Sequence, residues 1–126
     1  MREYQTIKAP CERELIIKKS KFIGQLYPVN SFEEAQDKLN EVKKKYWDAT
    51  HNCSAIIVGE GGEYTRCSDD GEPQGTAGVP MLEALKNTGL TGVLCVVTRY
   101  FGGILLGAGG LVRAYGSAVT EVASAC

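Results

Sequence analysis

No apolar run in these 126 residues approaches the roughly 20 that a membrane-spanning helix needs, so the sequence holds no candidate span. The N-terminal stretch MREYQTIKAP has no apolar segment of signal-peptide type, and the expected compartment is the cytoplasm. A long block of like charge is also absent. Net charge is −1, so attraction of the whole chain to nucleic acid or a membrane surface is not expected, and any such contact must be local. The charge that exists is unevenly laid out. Residues 1–29 hold Arg2, Lys8, Arg13, Lys18, Lys19 and Lys21 against Glu3, Glu12 and Glu14, whereas residues 60–72 hold five acids against Arg66. The cysteines, at positions 11, 53, 67, 95 and 126, are odd in number and form no C-x-x-C pair. That arrangement excludes a zinc knuckle and predicts free thiols and small core residues rather than a disulfide framework. There is no internal repeat, low-complexity tract or linker, and a hydrophobic content of 44% suits one globular domain over 1–126.

What is present reads as alternating strands and helices. The runs Arg13–Lys19 and Lys21–Val29 are β-rich, and the first thirty residues are expected to be extended throughout. Ser31 with Glu34 makes a capping box ahead of a stripe of Phe32, Ala35, Leu39, Val42 and Tyr46, which predicts a helix. Asn52–Val58 reads as a strand turned back at Gly59–Gly62 onto Glu63–Cys67. A short helix is expected from Pro80 to Thr88, and Val93–Thr98 as a strand covered on both faces. A final helix rich in small residues starts near Gly107. The order β-β-β, α, β-β, α, β, α predicts an α+β two-layer sandwich, a mostly antiparallel sheet with helices on one face.

Two segments carry the candidate chemistry. CSDDGEPQGTAGVP (residues 67–80) places Asp69, Asp70 and Glu72 together, a group that could hold a hard cation or transfer protons. Its spacing is not that of an EF-hand, and Asp-Asp-Gly-Glu-Pro is also turn chemistry, which is the favoured reading. RYFGGILLGAGGLVRAY (residues 99–115) follows an apolar strand and opens a helix. It either presents backbone N–H groups to an anion, with Arg99 and Arg113 adding charge, or is a tight crossover that needs glycine for sterics. Val112 breaks the dinucleotide fingerprint, and no Gly-Lys-Ser/Thr is present. The single histidine, His51, sits two residues from Cys53 on the same strand face, so a His-activated thiol stands beside the commoner reading of a packed cysteine. Tyr100 and Phe101 are candidates for stacking on bases, or for the core.

The segments KKSKFIGQLYPV, HNCSAIIVG, SDDGEPQGTAGVPML and VVTRYFGGILLGAGGLVRAYGSAV together resemble the N-terminal module of the IMPACT/YigZ family, over about Lys18 to Val119. The resemblance implies a β-α-β fold similar to domain IV of elongation factor G. It also implies a ferredoxin-like second domain in bacterial members, which is missing from this chain. For eukaryotic relatives it implies translation regulation through the activator of a starvation-responsive kinase. The resulting expectation is a non-enzymatic binding module that contacts RNA, the ribosome or a translation-regulatory protein, without metal or cofactor. Its surface would combine His51, Asp69, Asp70, Glu72, Gln74, Gly75 and Thr76 with Arg99, Tyr100, Gly102, Gly103, Gly109, Gly110 and Arg113. The alternative is a metal-assisted hydrolase that uses Asp69, Asp70, Glu72 and His51.

Overall fold

The structure, a computed structural model, describes residues 4–126; Arg2 and Glu3 of the charge count lie outside them. The strands are β1 (Cys11–Ile17), β2 (Ser20–Pro28), β3 (His51–Val58), β4 (Tyr64–Ser68) and β5 (Val93–Tyr100). The helices are α1 (Phe32–Lys45), α2 (Gly78–Asn87) and α3 (Gly107–Ser124). All strand pairs are antiparallel, in the order β1-β2-β5-β3-β4, so the last strand in the chain fills the centre of the sheet. The fold is α+β, as the sequence predicts. No helix among the described residues is long and apolar enough to cross a membrane.

Two expectations are corrected. Among the described residues, 4–30 hold two strands rather than three, and the segment before β1 contributes a single parallel bridge from Gln5 to Leu90. The helices also do not share one face. Helices α2 and α3 cover Phe22, Leu26, Cys53, Val93 and Val97, while α1 lies across the opposite face on Ile56, Val58, Leu94 and Val96. The reason is visible in β3 and β5, which are apolar on both sides and leave no face fit for water. The stripe of Ala35, Leu39 and Val42 on α1 supplies the second cover, so the domain has three layers.

Local chemistry sets the helix positions. Ser31 Oγ accepts from Glu34 N (3.1 Å), and Glu34 Oε2 accepts from Asn30 N (3.0 Å), which anchors the start of α1. On the α1 face a chain of buried polar groups crosses three strands. Gln25 Nε2 donates to Thr98 Oγ1 (2.9 Å), and Thr98 Oγ1 donates to Asn52 Oδ1 (2.7 Å). On the other face α3 comes so close to β2 that a Cβ on Gly24 would lie 2.9 Å from the Ala118 carbonyl oxygen. Glycine there, with Ala114 and Ala118 on the helix, permits the approach.

The thiols differ from expectation in one pair. Cys11, first in β1, and Cys126, just beyond α3, form a disulfide with Cα atoms 5.8 Å apart. Folding α3 back across β1 brings together positions separated by 115 residues, which no spacing rule detects. Cys53, Cys67 and Cys95 are free.

Candidate functional site

The acidic loop between β4 and α2 is built around Asp69. Its Oδ1 accepts from Ala77 N (3.1 Å) and Gly78 N (2.7 Å), and its Oδ2 accepts from Gly75 N (3.0 Å). The carboxylate thus caps α2 from outside the helix, since Ala77 at the N-cap position has no side chain for the task. Burial pushes the Asp69 carboxyl up, but the three N–H donors outweigh it and hold the group below its ordinary value. The N–H groups of Gly75, Ala77 and Gly78 are therefore engaged from within the fold. Asp70, in left-handed backbone (φ 43°), accepts from Asn52 N at Oδ2 (2.7 Å) and faces Lys43 Nζ at 3.5 Å.

Glu72 enters the interior. Arg99 Nη1 donates to its Oε2 (2.8 Å), and the Tyr115 hydroxyl donates to the same oxygen. Its other oxygen, Oε1, lies 3.4 Å from His51 Nε2. His51 Nδ1 is 2.9 Å from the Asp70 carbonyl, which can only accept, so Nδ1 is the donor of that contact. Arg99 also reaches Ser20 Oγ through Nε (3.4 Å) and Nη2 (3.3 Å), and Gly102 N donates to the same hydroxyl (3.3 Å). Glu72 and Arg99 are both nearly inaccessible. A buried pair of this kind persists because each charge is met by several partners, and removing one partner leaves the other uncompensated.

Cys53 is excluded as a His-activated nucleophile. Burial pushes its thiol up to about 12, and the thiol donates to the Asp69 carbonyl oxygen (3.0 Å) while His51 faces Asp70 and Glu72. Tyr115 is also raised, by burial first and then by Cys53 and Glu72, so it remains a neutral donor.

Above this network lies a cleft of about 350 Å³. Its base is His51, Glu72 and Arg99, and its walls are mainly apolar: Pro73 from the acidic loop, then Phe101, Leu105, Leu106 and Leu111. Gly107 and Ala108, which open α3, complete the rim, and α3 has no side-chain cap. Two hollows elsewhere, of about 580 Å³ each, include none of the predicted site residues, and a third, of about 500 Å³, includes only Arg113 of them.

The predicted site residues separate into groups. His51, Glu72 and Arg99 meet in the cleft, with Asp70 attached through His51. Asp69 and Thr76 are structural; the Thr76 hydroxyl donates to the Pro73 carbonyl. Gln74 and Gly75 are exposed at the loop tip. Tyr100 lies on the α1 face, where its hydroxyl donates to Asp48 (2.8 Å) and Lys21 Nζ sits 5.3 Å from its ring centroid. Gly102 packs against the β1–β2 turn, where a Cβ would fall 1.9 Å from the Lys19 carbonyl oxygen, and Gly103 follows it in the exposed loop. Gly109, Gly110 and Arg113 lie outside the cleft; Gly110 and Arg113 line a separate hollow of about 200 Å³ with Lys18. The four groups of the hydrolase alternative do not gather as a ligand set, and among the described residues no group of three or more His, Cys, Asp or Glu is placed to hold a metal ion. Sequence reasoning missed Ser20, Pro73, Leu105 and Tyr115. Only Tyr115 left a signal, as a hydroxyl on an otherwise apolar helix stripe.

Known proteins place these features in context. The Impact N-terminal domain matches residues 18–123. The IMPACT family member YvyE of Bacillus subtilis (strain 168) is 54% identical over 121 residues, which cover 96% of this chain and 56% of that protein. A solved structure described as that of a hypothetical protein superposes with a TM-score of 0.88 at 40% identity, covering 97% of this chain and 60% of the other. The two-domain translational regulator Yih1 shares the fold, with a TM-score of 0.59 at 24% identity over 98% of this chain and 49% of its own. The chain spans little more than half the length of the curated relative quoted.

Proposed function

The chain belongs to the family of the Impact N-terminal domain, and from that membership we propose that it is a non-catalytic binding module of translation regulation. One observation carries the reading: the two glycine-rich segments line a single open cleft, while the acids beneath it are engaged by partners inside the fold. A cleft with apolar walls and a few fixed polar groups at its base has the form of a binding site. The description of Yih1 as a translational regulator supports the link to translation. The contact is with the translation apparatus, through RNA, the ribosome or a translation-regulatory protein, and the module works in the cytoplasm.

Sedimentation of a translating extract through a sucrose cushion tests this. The purified chain, added to the extract, is expected in the ribosomal pellet at low salt, and Leu105→Asp is expected to leave it in the supernatant. Equal amounts of wild type and variant in the pellet, or neither, would overturn the reading.

A further inference from the structure

The turn that joins β1 to β2 is Lys18-Lys19, and both residues have positive φ (47° and 67°). Two-residue hairpin turns of that backbone sign pattern favour Asn-Gly, because a side chain in left-handed backbone costs about 1 kcal/mol or more. Strain of this type is retained where the side chains serve a purpose. Both lysines are exposed, and neither makes an ion pair among the described residues; the same holds for Arg113 on α3. Lys18 and Arg113 line one hollow, whose wall at Leu106 is shared with the apolar cleft. Exposed apolar groups border the cleft: Phe101 is 45% accessible and Leu105 81%. An exposed apolar patch with a polar rim marks an interaction surface.

We infer that this surface binds an acidic protein segment, with one apolar side chain entering the cleft and neighbouring carboxylates meeting Lys18, Lys19 and Arg113. The inference rests on the binding-module reading above and names the partner class of the same cleft. Charge complementarity selects the acidic flanks, since three uncompensated cations stand beside a cleft whose own charges are paired. Nucleic acid fits less well. Its binders present a basic face and stacked aromatic platforms, whereas this chain has a net charge of −1 and a largely aliphatic cleft wall with one aromatic ring.

Selection of a random phage-displayed peptide library on the purified chain tests the inference. The expected products pair a Leu, Ile, Met or Phe with adjacent Asp or Glu. A fluorescein-labelled peptide of the enriched sequence is then titrated against two variants whose fold is checked by circular dichroism. Leu105→Asp is expected to weaken binding about tenfold or more. Lys18→Glu/Lys19→Glu/Arg113→Glu is expected to do the same and to flatten the salt dependence. The inference is overturned if no peptide is enriched, if basic or uncharged peptides are enriched, or if either variant binds within about twofold of wild type. It is also overturned if a labelled random single-stranded RNA pool binds where the acidic peptide does not. A chain that pellets with ribosomes yet selects no acidic peptide retains the translation reading and loses this one. The converse result separates them the other way.

Discussion

Asp69 shows how a residue that looks catalytic can be architectural. A carboxylate that receives three backbone N–H bonds is stabilised in its charged form, and protonation removes the acceptor that α2 needs. Asp69→Ala is expected to lower stability by about 1–2 kcal/mol, the scale of a lost helix cap. Asp69→Asn gives the pH test. Because the folded-state carboxyl is held below the ordinary value of 3.8, its contribution is full above that value and lost as pH falls through the folded-state one. In urea melts, the gap between wild type and Asp69→Asn should stay level above about pH 5 and shrink in more acid solution. A gap that is independent of pH would show that the charge of Asp69 is irrelevant. The sequence revealed the acids and the turn chemistry that Asp69 completes. The donors that Asp69 would meet were not legible, since its partners lie six to nine residues downstream and only the folded loop aligns them.

Elements were more legible than their placement. The capping box at Ser31 and Glu34 fixed the start of α1, and the unbroken apolar run of β5 announced a strand covered on both faces. The same run implied helices on both sides, a consequence the two-layer expectation overlooked. The β1–β2 turn gives a prediction at this scale. Lys19→Gly removes a side chain from left-handed backbone and is expected to raise stability by about 0.5–1 kcal/mol. The same variant should weaken the acidic peptide, because it deletes one of the three cations. Thermal denaturation and peptide titration of that one variant check both halves, and a destabilised protein would contradict the assignment of strain to the turn. Gain in stability against loss of binding is the pattern expected where strain serves recognition.

At the scale of the whole molecule, the Cys11–Cys126 bond joins the edge strand to the far end of α3. A cross-link across 115 residues restricts the unfolded chain, and chain-entropy reasoning puts its contribution at about 4–5 kcal/mol. Reduction, or Cys126→Ser, is therefore expected to lower the thermal midpoint clearly, as differential scanning fluorimetry with and without reductant would show. An unchanged midpoint would mean the bond adds nothing to the fold.

The same bond governs how the domain responds to being pulled. Tension applied at residues 11 and 126 passes from sulfur to sulfur and bypasses the sheet, so the oxidised domain is a short, stiff link in whatever chain it belongs to. Opened by reduction, that link exposes 115 residues to the load, roughly 400 Å of extensible polypeptide. One covalent bond between two small side chains thus decides whether this domain transmits a force or absorbs it.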